Sequence, residues 1–388
     1  MKDIYFDNSA TTRICPEALA VYNEVSTTHF GNPSSRHRLG NEAAEILKSA
    51  EKEVLAALGA REGKIIFTSG GTESNNLAIF GRALAKERFR RGGKLLTTAG
   101  EHASVSTPLA LLQSLGFQRA EISTLGGVFD LKMLEREADK STVLLSMMAV
   151  NNETGAVYDA LTASEILREK SPDGVLHIDA TQSFMKIPFT PKSLGADMIT
   201  VSSHKIEGPK GVGALWVSSA LLKNKGIVPL AVGGGQQDGL RSGTENVPAI
   251  AAFGEACRVY RERMKERGKT VSSLRNYLIG KCQEELGASV SLLLPPSAVS
   301  HILNMEIVGL KSETVLNDLS GRGIYVSSGS ACSTHKRDIS PALLAYGKRE
   351  SEADSSIRVS LSYHNTKEEI DCFVAALSQI IATRCKKK

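Results

Sequence analysis

The sequence predicts an α/β fold: a mainly parallel β-sheet covered by helices on both faces. From residue 60 to 220, short β-branched, apolar runs alternate with longer helical patterns. Such runs, separated by helices, suit strands buried on both faces. Clusters of Gly, Ser, Thr and ionisable residues follow several of them, where ligands collect in sheets of this kind.

In order, Ile65–Thr68 reads as a strand and 73–90 as a helix. Lys94–Thr98, Thr142–Val150, Gly174–Ile178, Asp197–Val201 and Gly213–Val217 read as further strands. A helix over 41–58 sets Ala44, Leu47, Ala50, Val54 and Leu58 along one stripe. The charged pattern over 255–285 predicts a long helix joining the large unit to a smaller one. The smaller unit has strands near 301–307, 323–327 and 357–361. It closes with a helix opened by the capping box Thr366-Lys367-Glu368-Glu369, with Ile370, Phe373, Val374, Leu377 and Ile381 at core spacing. The expected division is a large domain over 16–258 and a small one built from 1–15 and 259–388.

A chain of 388 residues, 41% apolar and 23% charged, is long enough for two or three domains with large cores. The formal charge of +5 comes without a dense basic block in the body of the chain, so nucleic acid is not indicated; Lys386-Lys387-Lys388 reads as a solvated tail. No run approaches the ~18–20 apolar residues of a membrane span, and the N-terminus lacks the apolar stretch of a signal peptide. The six cysteines, at 15, 257, 282, 332, 372 and 385, form neither C-x-x-C nor a disulfide framework. These features favour a reducing, cytoplasmic compartment. Cys257 and Cys372 fall in helical patterns and read as core filling; Cys15, before Pro16, reads as structural and Cys385 as incidental.

The chemistry concentrates in a few segments. Ser203-His204-Lys205-Ile206-Glu207-Gly208-Pro209-Lys210-Gly211 follows a strand, and its Gly-Pro-x-Gly run suits a tight turn around a ligand. Alone, Lys205 reads as a surface lysine; desolvated there, its amine becomes nucleophilic enough for a Schiff base. His177-Ile178-Asp179 ends another strand, where a carboxylate can keep a pyridine nitrogen protonated. The alternatives are a helix cap for Asp179 and metal ligation by His177-x-Asp179; no further ligand set supports the latter. Thr68-Ser69-Gly70-Gly71-Thr72-Glu73-Ser74-Asn75-Asn76 joins a strand to a helix and suits a phosphate cradle. It is not a P-loop, and no G-x-G-x-x-G is present.

A lysine, a carboxylate and a phosphate cradle at strand ends are what pyridoxal phosphate requires. With Tyr5-Phe6-Asp7-Asn8-Ser9-Ala10-Thr11-Thr12 and Ser356-Ile357-Arg358-Val359-Ser360-Leu361 at its two ends, the chain resembles the NifS/IscS-like cysteine desulfurases of the class V aminotransferase family. The resemblance runs nearly end to end and implies the pyridoxal-phosphate-dependent transferase fold (aspartate aminotransferase-like, fold type I). It implies that Lys205 bonds the cofactor and moves the substrate's α-proton. Asp179 would pair with the ring nitrogen and Gln182 with the phenolic oxygen. Gly71, Thr72, Ser202 and His204 would hold the phosphate, with Thr244 supplied by the partner subunit of a homodimer. His102 would stack on the ring and transfer protons, Asn152 would touch substrate and cofactor, and Arg358 would clamp the substrate carboxylate.

Cys332 lies in Ser327-Ser328-Gly329-Ser330-Ala331-Cys332-Ser333-Thr334-His335, a small, polar stretch that suits an exposed loop. Nearby His335, Lys336 and Arg337 favour its thiolate. The implied activity converts L-cysteine to L-alanine and leaves the sulfur as a persulfide on Cys332 for an acceptor thiol. Iron–sulfur scaffold, tRNA-thiolation carrier and cofactor biosynthesis all stay open as acceptors. Selenocysteine lyase, another class V activity and a sulfur-relay scaffold are the rival readings. Two positions depart from the family's pattern: Glu207 stands where Tyr or His is usual, and Gln236-Gln237-Asp238-Gly239 replaces a Gly-x-Glu-Arg-Gly run.

Overall fold

The computed structural model describes residues 3–85, 92–328 and 339–385. A seven-stranded sheet runs in the spatial order Lys64–Thr68, Gly213–Val217, Met198–Ser202, Val175–Asp179, Thr142–Met148, Lys94–Thr98 and Gln118–Ile122. The last five are mutually parallel. Gly213–Val217 is antiparallel to both neighbours, because residues 203–212 hold only a short turn and no crossover helix. Lys64–Thr68 therefore points with the parallel set, and six strands deliver their carboxyl ends to one edge.

The predicted strands lie within two residues of the observed ones. Gln118–Ile122 was not predicted: it forms the sheet's outer edge, and its Gln, Arg and Glu lack the apolar signal of a central strand. The predicted helix over 73–90 ends at Ala83; the predicted 41–58 helix begins at Arg38 and stops where Gly59 takes φ 62°.

A second sheet, wholly antiparallel, orders Ser327–Ser328, Ser356–Ser360, Ile302–Ile307 and Val290–Leu293, the last also unpredicted. Ile4–Tyr5 pairs in parallel with Ile324–Tyr325. Phe6 thereby enters this second core, its ring edge-on to Phe373 at 5.8 Å. The long helix, observed over Val247–Glu285, starts well before its predicted position. It buries Phe253, Cys257 and Tyr260 in the core beneath the large sheet and Leu274, Leu278 and Cys282 in the second core.

The closing helix, Lys367–Cys385, has the predicted capping box: Glu369 N–H donates to Thr366 Oγ1 at 3.2 Å and Thr366 N–H to Glu369 Oε2 at 3.3 Å. One reading fails here. Cys372 is exposed, not core filling, because it lies two residues from Ile370 and so about 200° around a helix whose buried stripe is Ile370, Phe373, Val374 and Leu377. Cys15, Cys257 and Cys282 are buried, and burial pushes all three thiols up, Cys282 to about 12. Among the described residues no helix is long and apolar enough to cross a membrane.

Candidate active site

The carboxyl edge of the large sheet faces the second sheet across a cavity of about 590 Å³. Gly71, Thr72, His102, Asn152, Asp179, Gln182, Ser202, His204, Lys205 and Arg358 all line it, so ten of the twelve predicted site residues meet in one place. Thr244 is exposed and off this chain's cavity wall. Cys332 lies outside the described residues.

Lys205 ends the turn that leaves Met198–Ser202, and Nζ donates to the carbonyls of Ser9 and Ala10, each at 2.7 Å. The N-terminal segment crosses the lysine turn like a strap. Thr12 Oγ1 donates to His204 O at 2.8 Å and accepts from Glu207 N–H at 2.8 Å, while Gln182 Nε2 donates to Ser9 O at 2.9 Å. The sequence marked this segment only through its resemblance and gave no sign that it touches Lys205.

Asp179 closes the strand Val175–Asp179 and is buried. Oδ1 accepts from Thr181 N–H at 2.9 Å and Oδ2 from Asn75 Nδ2 at 2.8 Å, so Asp179 makes a tight turn and caps no helix. His177, two residues earlier on the same strand, is wholly buried, and its Nδ1 pairs with Ser146 Oγ at 2.8 Å and its Nε2 with Thr200 Oγ1 at 3.0 Å. Burial lowers it to about 4, against the pull of Asp179, so it is a neutral core histidine with both nitrogens engaged.

The loop expected to cradle a phosphate lies where Lys64–Thr68 turns into the helix Gly71–Ala83. Here Gly213 is required: a Cβ on it would come within 2.8 Å of Gly70 Cα. His204 meets Thr11 Oγ1 at 3.0 Å through Nδ1; burial first, then the charges of Lys205 and Lys210, lower it to about 4. It therefore serves the cavity as a neutral hydrogen-bonding group near pH 7.

Arg358, on the antiparallel strand opposite, donates through Nη1 to Asn152 O at 2.8 Å and pairs through Nη2 with Asp7 Oδ1 at 3.0 Å. Nε is buried with no partner among the described residues, a donor left for a ligand. The ends of the segment that carries Cys332 flank this arginine's side of the cavity. Ser327 and Ser328 pair with Arg358 and Ile357, and Pro341 and Ala342 line the cavity wall.

Two buried carboxyl groups were missed by the sequence reading. Burial raises Glu101 to about 8, even though its Oε1 accepts from Thr98 Oγ1 at 2.6 Å and Met148 N–H at 2.8 Å. Burial likewise raises Glu153 to about 7, offset by the hydroxyl of Ser340 and the charge of Arg358. Both flank residues that the sequence did single out, His102 and Asn152, but nothing in an isolated Glu signals burial.

The two departures each have a structural role. Glu207, at φ 65°, is buried and accepts from Tyr363 Oη at 2.9 Å, with His364 Nε2 at 3.1 Å and Arg267 Nη1 at 3.2 Å. Gln237 hydrogen-bonds both backbone groups of Phe67, accepting from N at 2.6 Å and donating to O at 2.9 Å, and so caps the open edge of the outer strand. The same loop is tied to the cradle by Arg241 Nε to Glu73 Oε1 at 2.9 Å.

An amine at a strand end, a buried carboxylate, a helix N-terminus and an unmatched guanidinium N–H fit pyridoxal phosphate and an amino-acid carboxylate. The class V aminotransferase family model matches residues 4–373. The chain belongs to that family. It is 40% identical over 387 residues to a NifS/IcsS protein homolog of Lactobacillus delbrueckii subsp. bulgaricus, covering 97% of each chain. It is 35% identical over 378 residues to cysteine desulfurase IscS 1 of Archaeoglobus fulgidus, covering 97% of this chain and 96% of that one. A solved NifS-like protein superposes with a TM-score of 0.91 at 33% identity over 98% of this chain and 100% of its own. These relatives place this class V chain within the NifS/IscS-like group, and its structure has the fold of that group.

Proposed function

We propose that this chain is a pyridoxal-phosphate-dependent L-cysteine desulfurase that releases L-alanine and holds the sulfur on Cys332. The observation that carries the reading is the meeting of Lys205, Asp179 and Arg358 on one cavity, with Ser327 paired to Arg358 and Pro341 and Ala342 on the cavity wall. Cys332 lies four positions beyond Ser328, a reach of about 13 Å for extended chain.

When bound, the cofactor supplies an electron sink for the substrate's Cα. Asp179 holds a proton on the ring nitrogen, and Gln182 donates to the ring's phenolic oxygen. Thr72, Ser202 and His204, with the N–H groups at the start of Gly71–Ala83, hold the phosphate. Arg358 binds the substrate carboxylate through the guanidinium edge that Asp7 and Asn152 leave open. Lys205 Nζ takes the α-proton, and His102, on the cavity wall, stacks on the ring and moves protons beside it. The Cys332 thiolate then attacks the substrate sulfur. An S–S bond would form as the Cβ–S bond breaks, the bonding pair staying with the carbon; protonation at Cβ, and return of the proton from Lys205 Nζ to Cα, would then give alanine. An acceptor thiol removes the outer sulfur by exchange.

Thr244 is exposed on its own chain and lies off its own cavity wall, which supports a homodimer in which each copy completes the other's phosphate site. The division into a domain over 16–258 and one from 1–15 and 259–388 fits two cores joined by one helix. We place the reaction in the cytoplasm, with the sulfur passed to an iron–sulfur scaffold or a thiolation carrier.

The test measures alanine and sulfide from L-cysteine in the presence of a reducing thiol, for wild type and Cys332→Ala. Equal yields that vanish in the variant, while its cofactor absorbance persists, support the reading. Undiminished turnover in Cys332→Ala removes Cys332 from the reaction; activity confined to selenocysteine reassigns the substrate.

A further inference from the structure

Between Asp179 and His102 the cavity wall holds two polar side chains to which the reaction above gives no task. Asn75, on Gly71–Ala83, and Ser104, on Ala103–Ser114, are both buried. Asn75 Nδ2 lies 2.8 Å from Asp179 Oδ2 and 2.8 Å from Ser104 Oγ. Ser104 Oγ lies 2.8 Å from His102 Nδ1, and the Ser104 backbone N–H donates to the same nitrogen at 3.1 Å.

Donor and acceptor chemistry fixes the direction of every link. A carboxylate only accepts, so the amide presents its NH₂ to Asp179; the flipped amide would set oxygen against oxygen. The two amide hydrogens go to Asp179 and Ser104. Ser104 Oγ therefore accepts from Asn75, and its own hydrogen is left for His102 Nδ1. That nitrogen already accepts the backbone N–H, so a proton on it would face two donors. The ring proton then belongs on Nε2. Asn75 Oδ1, meanwhile, is buried with no partner among the described residues. An unmatched buried acceptor destabilises the fold, so stability does not explain this amide.

We infer that Asn75 and Ser104 are positioning residues that join Asp179 to His102 in one directed hydrogen-bond chain and hold His102 as the neutral imidazole with its proton on Nε2. The inference rests on the proposed roles of Asp179 and His102 at the cofactor. In that setting the chain fixes the two groups on the ring relative to each other and reserves Nε2 for proton transfer.

Nitrogen-15 NMR of histidine-labelled, cofactor-free protein reads the tautomer directly, with His102→Gln assigning the signal among the eight histidines. Wild type is expected to carry the proton on Nε2, and Asn75→Leu and Ser104→Ala to show a mixture. In the loaded enzyme both variants should lower kcat for L-cysteine roughly 10- to 100-fold, with KM within about 2-fold. Ser104→Thr, which keeps the hydroxyl, should restore both readings. If Asn75→Leu fails to fold by circular dichroism, Ser104→Ala and its threonine rescue decide. A proton on Nδ1 in wild type, or both variants retaining wild-type tautomer and kcat, overturns the inference. Because the tautomer is read without cofactor, a chain inactive on L-cysteine that still shows the expected shifts sinks the function and upholds the hydrogen-bond chain.

Discussion

Glu101 shows how a single side chain carries the electrostatics of the site. Wholly buried next to His102 in sequence, its carboxyl is raised by burial from 4.5 to about 8, with the nearby Asp179 charge acting in the same direction. A raised acid favours the folded state fully below its unfolded pKa and loses that contribution as pH climbs through the folded one. The window here is therefore pH 4.5 to 8. Glu101→Gln keeps the acceptor for Thr98 and Met148 but cannot ionise. Its Tm should match wild type at pH 5 and exceed it by at least about 2 °C at pH 8; equal Tm values at both pH values would show that Glu101 is not held protonated. The sequence pointed to His102 only through the family resemblance. It could not point to Glu101, because burial is decided by the strands Lys94–Thr98 and Thr142–Met148 closing over it.

At the scale of elements, the proposed phosphate cradle depends on how closely two strands approach. The glycine at 213 lets the antiparallel strand pass against Gly70, and the atoms a Cβ would meet are backbone, with no flexible side chain to give way. Gly213→Ala should therefore push the loop 69–71 out of place and weaken binding of pyridoxal phosphate to cofactor-free protein at least about 10-fold, as read by fluorescence titration. Gly268→Ala, in the long helix with open space around it, is the control and should bind normally. Unchanged affinity in Gly213→Ala would mean that the cradle is set elsewhere. The apolar runs disclosed the central strands of this sheet almost to the residue. They did not disclose that Gly213–Val217 runs backwards, since direction follows from the missing crossover helix.

Over the whole molecule, the Glu207 cluster ties together parts that belong to both cores. Burial alone would raise the Glu207 carboxyl; the His364 hydrogen bond, the Arg267 charge and the Tyr363 hydroxyl outweigh it and hold it below the usual range. Arg267 lies 4.4 Å from the Tyr260 ring centroid and 4.0 Å from that of Tyr363. The lysine turn, the long helix and the segment after Ser356–Ser360 thus meet at one buried ion pair. Removing one partner strands the other, so Arg267→Met should cost about 3–5 kcal/mol in urea unfolding. Adding Glu207→Gln should recover part of that loss, and a double variant no more stable than the single one would show that the pair itself is not what is lost.

The sequence by itself determined the α/β class, most of the strands and the capping box at Thr366, because each of these is written in local periodicity or in a short contiguous motif; ten residues of the cavity were named from it too, most of them through the family resemblance. Only the tertiary structure decided that Ser9 and Ala10 lie against Lys205, that Asn75 and Ser104 join Asp179 to His102, and that Glu207 pairs with Arg267. Apart from His102 and Ser104, those partners are separated by tens to hundreds of residues, and a side chain's hydrogen-bond partner, unlike a helix or a strand, leaves no period in the chain. Cys372 marks the same boundary at short range: its helix was legible, but the face it occupies depended on which stripe the second core would bury.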